Sequence, residues 1–149
     1  MAAADLPEPL VEAGRKLLSA LDDAGLQAQG AAWIFDHALR DWRFVVATSL
    51  VETMGRSNVY KQLLTVMKKL EVPADLTIND IHLVSPSGPL FRRVAGAVHI
   101  HDGVVRFKDR AINGAKFDAI VYRWVGEPSA AEAAKVEKHF KRRAKELSG

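Results

Sequence analysis

The chain has 149 residues, 48% hydrophobic and 26% charged, with 10 Gly, 6 Pro and no Cys. This length and balance fit one domain with one apolar core and exclude a low-complexity or disordered chain; without cysteine there can be no disulfide, thiol catalysis or Cys-ligated zinc. The formal net charge is +3. Residues 129–149 hold Lys135, Lys138, Lys141, Arg142, Arg143 and Lys145 against Glu132, Glu137 and Glu146, so this tail carries the whole excess and residues 1–128 average to neutral.

At the start, Asp5 and Glu8 stand where a secretory leader needs positive charge, and Pro7 and Pro9 interrupt any apolar run. No stretch approaches the roughly 20 apolar residues of a membrane span. A cytoplasmic protein is therefore expected. Asp5 and Glu8 have capping-box spacing, and Leu10, Val11, Leu17, Leu18 and Leu21 recur on one helical face. Gly25 should end that helix in the left-handed conformation.

Trp33–Phe35 and Trp42–Leu50, rich in aromatic and β-branched residues, read as a hairpin around the polar connector 36–41. A helix over 28–39 is the rival. The second run is apolar on both faces (Phe44 and Val46, Val45 and Ala47), which predicts a central strand. After a break at Gly55–Asn58, Val59, Leu63, Val66, Met67 and Leu70 mark a helix with Lys61, Gln62, Lys68 and Lys69 on its other face. Val72-Pro73 should stop it.

Ile81–Val84 is a short strand, and Pro89 suits the first turn of a helix carrying Leu90, Phe91, Val94, Ala95 and Val98. Val104–Lys108 and Phe117–Trp124 are two more strands, joined through Asn113-Gly114. Ser129 and Glu132 form a capping box that opens the terminal helix. The expected fold is one α+β domain of order α-ββ-α-β-α-ββ-α: an N-terminal helix within 1–26, a sheet core over 27–125 and a C-terminal helix over 128–149. Its mixed five-stranded sheet has strands 2 and 3 parallel through a right-handed crossover, with the hairpins supplying antiparallel edges.

Three constellations could carry function. On the terminal helix, Ala133, Val136, Phe140, Ala144 and Leu147 form an apolar stripe expected to dock on the sheet. Lys135, Lys138, Lys141, Arg142 and Lys145 fall in a separate arc of about 120° with no acid among them. Such a one-signed face suits phosphates or an acidic partner, although a merely solvated face has the same composition. The second constellation is a loop pair, 52–58 and 85–93. Leaving one edge of parallel strands, the loops would gather Arg56, Ser57, Ser85, Ser87, Arg92 and Arg93 as an anion site. Helix capping is the simpler role for Ser57 and Ser87. In the third, His99 and His101 share one face of an extended segment as a two-ligand fragment of a metal site, with a turn as the simpler reading. Catalytic motifs are not legible, the tryptophans read as core, and no cofactor is expected.

Ala31-Ala-Trp-Ile-Phe-Asp36, Trp42-Arg-Phe-Val, Ile81-His-Leu-Val-Ser-Pro86, Ile112-Asn-Gly114 and Tyr122-Arg123 together resemble a group of small bacterial α+β proteins with no assigned activity. The resemblance covers roughly residues 27–123. It implies the hairpin and a bacterial origin, and it brings no mechanism. The sequence therefore points to a non-enzymatic binding or accessory module. Its partner would be a protein or a second copy of the chain, without membrane contact. The alternatives are nucleic-acid binding through the basic helix, and a small enzyme acting on an anionic substrate at the Arg56/Arg92 loops.

Overall fold

Gly30–Asp36 (β1) and Asp41–Ala47 (β2) pair antiparallel from Gly30↔Ala47 to Asp36↔Asp41, so the hairpin stands and the rival helix over 28–39 does not form. Its connector closes locally. Asp36 Oδ1 accepts the Ala38 and Leu39 N–H groups at 3.0 and 3.1 Å, and Arg40 turns left-handed at φ 53°. The computed structural model describes residues 6–69, 76, 80–112 and 115–148. The Asp5–Glu8 box, the stop at Val72-Pro73 and the Asn113-Gly114 turn involve positions outside the described residues.

Ile81–Val84 (β3) runs parallel to β2, from Phe44↔Ile81 to Ala47↔Val84, as expected. Val105–Ile112 (β4) and Ala115–Trp124 (β5) form the second hairpin. The five strands make one mixed sheet of order β3-β2-β1-β5-β4. β2 is interior, as its two apolar faces predict, with β1 as the middle strand. One expectation changes: β4 of the second hairpin forms one edge as expected, but the other edge is β3 rather than the first hairpin. Gly30, Ala31 and Ala32 extend β1 upstream of Trp33, and all three pair with β5. A Cβ on Gly30 would meet the Trp124 ring at 2.7 Å.

Helices cover both faces. Glu8–Asp23 (α1), Leu50–Thr53 (α2), Arg56–Lys69 (α3) and Ala130–Ser148 (α5) contribute to a core with Trp33, Phe44, Val46, Leu83, Ile120 and Tyr122. On the opposite face, Phe91 and Val94 of Pro89–Ala95 (α4) pack on Ile34, Val45, Val121 and Trp124. Trp124 stacks on Phe91 at 5.1 Å, and its Nε1–H donates to Phe91 O at 3.0 Å.

α2 is an addition to the expected order. The strand ends at Ala47 because Thr48 Oγ1 accepts the Leu50 N–H at 3.2 Å, turning the chain into a short helix. Gly55, at φ +85°, then separates α2 from α3. The expected stop at Gly25 is present as a Schellman motif, with Leu26 N–H donating to Leu21 O and Gly25 N–H to Asp22 O at φ +82°.

α1 lies unusually close to the sheet. Trp33 Nε1–H donates to Leu10 O at 3.0 Å and Tyr122 OH donates to Val11 O at 2.5 Å. Between these tethers a Cβ on Gly14 would fall 2.7 Å from both Trp33 Nε1 and Tyr122 Oη. Burial pushes the Tyr122 phenol pKa well above its ordinary value, so this donor stays protonated.

The Ser129–Glu132 box caps α5 as expected: Glu132 N–H donates to Ser129 Oγ at 3.2 Å and Ser129 N–H to Glu132 Oε1 at 3.4 Å. The apolar stripe of α5 docks differently from expectation. Val136 and Phe140 join the core, but the helix packs chiefly along α3 and α2 rather than on the strands. α1 is tethered to the sheet through Trp33 and Tyr122, and the buried residues of α5 share a cluster with Leu50 of α2 and with Val59 and Leu63 of α3.

Candidate functional site

The paired loops leave the same sheet edge, as the parallel strands require. What joins them is Glu52, a residue the sequence did not single out. The Ser85 and Ser87 hydroxyls both donate to Glu52 Oε1, and the Ser87 N–H donates to Ser85 Oγ at 3.1 Å. The anion held by these serines is therefore the chain's own carboxylate. Arg56 Nε–H donates to Leu83 O at 3.1 Å, and Arg92 Nε–H to Glu127 Oε1 at 3.1 Å. Arg93 is exposed on α4. Ser57 and Ser87 are each one or more positions away from capping: Gly55 precedes α3, and Gly88 is the N-cap of α4. Next to this edge, burial and the charges of Arg43 and Arg56 hold the His82 imidazole below its ordinary pKa, favouring the neutral ring.

The serine hydrogen bonds, Ser85 first and Ser87 second, hold the Glu52 carboxyl below its ordinary value. A depressed folded-state pKa means that the stabilisation is complete above the ordinary carboxyl range. It is lost as the pH falls through the depressed value. Because Glu52 is exposed, screening keeps its share below about 1 kcal/mol. Glu52→Gln should flatten that part of the acid limb in urea unfolding followed from neutral to acid pH. An unchanged acid limb would show that the loops are held together by other contacts.

His99 and His101 flank Ile100, which pairs as an isolated bridge with Trp124. Both are exposed, and His101 Nδ1 lies 3.4 Å from Asp102 Oδ2. Among the described residues no group of three or more His, Asp or Glu is placed to hold a metal ion. A buried carboxylate, Asp118, has its Oδ2 3.2 Å from His37 Nε2 at the hairpin end of the sheet. A cleft of about 340 Å³ lies between α1 and residues 102–104. Its Arg123 is clamped in two-point contact by Asp22 at 2.8 and 2.9 Å.

On α5, Lys135, Lys138, Lys141, Arg142 and Lys145 are all exposed. Three tethers at the C-terminus of α1 fix the orientation of α5. Arg143 Nε–H donates to Asp23 O at 2.9 Å, Ala144 packs on Ala24, and the His139 ring lies where a Cβ on Gly25 would be. Glu137, just outside the basic arc, reaches Lys141 at 3.7 Å and pairs one edge of the face.

The structure places a second basic element beside it. α3 carries Arg56, Lys61, Lys68 and Lys69 and no acidic residue at all. The neutral average of residues 1–128 concealed this, because acids elsewhere offset it; with α3 and α5 set aside, the remaining chain is net negative. Lys61 and Lys68 are exposed, and Leu64 between them is 42% exposed. A cleft of about 270 Å³ separates the helices, lined by Gln62 and Thr65 from α3 and by Lys141, Ala144 and Lys145 from α5. The acid-free run of α3 was legible in the sequence, but its adjacency to α5 was not.

Comparison of the chain with family models, with curated proteins and with solved structures finds no match. Among the described residues no helix is long and apolar enough to cross a membrane.

Proposed function

We propose that this protein is a non-enzymatic accessory module of a bacterial cytoplasmic complex that binds a protein partner through the basic face of α5. One observation carries the reading. The apolar stripe of α5 is buried within its own domain, at Val136, Phe140 and Ala144, while its five bases face outward. The helix is thus a rigid presenter of charge rather than a docking strut for something absent. Further support comes from the loop pair, where Ser85 and Ser87 are engaged with Glu52, Arg56 with Leu83 and Arg92 with Glu127. A cysteine-free chain suits a reducing compartment.

The test compares wild type with Lys138→Glu, Lys141→Glu and Arg142→Glu combined, measuring the native mass of the complex in cell extract. All three positions are exposed, so the variant should keep the wild-type circular dichroism and lose the complex. A complex of unchanged mass would exclude the α5 face. A complex that disappears on nuclease treatment would replace the protein partner with nucleic acid.

A further inference from the structure

We propose that Tyr60 and Arg56 of α3 lock the outer edge of β3. They take backbone bonds that a sixth strand would take, and so hold the sheet apart from the sheet of a second copy of the chain. The inference is independent of the α5 face.

The outer edge of β3 belongs to Ile81 and Leu83. Val84 O accepts the Thr48 N–H at 3.1 Å on the inner side, and in a parallel ladder the backbone groups of successive residues point to opposite sides. On the outer side Tyr60 OH donates to Ile81 O at 2.8 Å and accepts the Leu83 N–H at 3.1 Å. Arg56 Nε–H donates to Leu83 O at 3.1 Å. The two side chains stand four residues apart on α3, which puts them on one face of that helix. A hydroxyl and a guanidinium thus supply the acceptor and the donors of an absent strand.

An open sheet edge is a template for another strand unless it is guarded. β4, at the opposite edge, has guards of its own. Arg106 and Lys108 are exposed, and the ladder to β5 shifts register between Phe107 and Arg110. β3 has neither device. Its sequence Ile-His-Leu-Val holds no Lys and no Pro, and its pairing with β2 runs without a shift. Apart from its shortness, the protection of this edge comes from α3.

A second copy fits the edge because β3 is self-complementary there. With two strands antiparallel about His82, Ile81 of each copy faces Leu83 of the other, and each such pair exchanges both N–H···O bonds. Ile81 O, Leu83 N–H and Leu83 O are the groups that Tyr60 and Arg56 now hold. The residue on the axis would be His82. Burial, with the charges of Arg43 and Arg56, favours its neutral ring, so like charges would not meet there.

The experiment is sedimentation velocity of the full chain over a range of concentrations. Tyr60→Phe keeps the ring, which packs against the core, and removes only the hydroxyl, so circular dichroism should be unchanged. Wild type must break the Tyr60 bonds of both copies to pair; the variant should therefore self-associate at least about a hundredfold more tightly. Its Leu83 amide should exchange hydrogen more slowly as concentration rises, whereas in wild type that rate is independent of concentration. Adding His82→Glu sets like charges on the axis and should return the variant to the wild-type mass. Arg56→Ala frees Leu83 O alone and should tighten self-association by about tenfold; it carries the test if Tyr60→Phe fails to fold. Wild-type mass for both single variants at every concentration overturns the lock. Association that His82→Glu does not relieve, or that leaves Leu83 exchange independent of concentration, places the contact elsewhere and overturns it too.

Discussion

Phe140→Ala is expected to cost about 3–5 kcal/mol and to loosen α5 from the domain. Phe140 is fully buried and joins a cluster with Leu50 of α2 and with Val59 and Leu63 of α3. Truncating it removes the transfer free energy of a ring and leaves a cavity. The cavity cannot collapse easily, because α5 is held beyond it by the Arg143 bond to Asp23 O and the packing of Ala144 on Ala24. A domain of this kind has about 5–15 kcal/mol of total stability, so the loss is a large fraction of the whole. Urea unfolding should show a much lower midpoint. A change below about 1 kcal/mol would mean that α5 contributes little to the core and that its docking depends on the tethers alone.

Gly14→Ala is expected to destabilise the protein by about 2 kcal/mol although it replaces the poorer helix former with the best one. Intrinsic propensity alone favours alanine by about 1 kcal/mol within a helix. Against that, the new methyl would stand 2.7 Å from both Trp33 Nε1 and Tyr122 Oη and 3.0 Å from Phe44 Cε2. The two polar atoms cannot simply move aside, since they are tethered to Leu10 O and Val11 O of the same helix. Relieving the clash means lifting α1 or giving up a buried hydrogen bond, and either outweighs the gain in propensity. Gly96→Ala is the control. Gly96 has φ −69° and its Cβ would make only ordinary contacts, the nearest at 3.5 Å. That variant should be neutral within about 0.5 kcal/mol or slightly stabilised. If the two substitutions behave alike in urea unfolding, the close approach of α1 is not a constraint on stability.

Local pattern was legible wherever the physics is local. Periodicity located α1, α3 and α5, the Ser129–Glu132 box and Gly25 located helix ends, and the aromatic and β-branched runs located the first hairpin. Placement failed where a short run has two environments to choose from. Ala31 and Ala32 look unremarkable beside Val45 and Val46, yet they pair on both sides, with β2 and with β5, in the middle strand of the sheet. Thr48 looked like part of a strand because its role is to accept a bond from a residue two positions on.

The candidate site divides along the same line. The sequence by itself determined an α+β chain with a terminal helix whose apolar and basic sides are separate, since 100° of rotation per residue decides both. It also placed Ser85 and Ser87 beside one another in a turn. Only the tertiary structure decided that Glu52 of α2 reaches both serines, and that the acid-free α3 lies alongside α5 across a cleft lined by Gln62, Thr65, Lys141, Ala144 and Lys145. Those facts depend on which elements become neighbours. That is set by the competition of every apolar face for the same sheet and helical layer, and no single segment encodes its outcome.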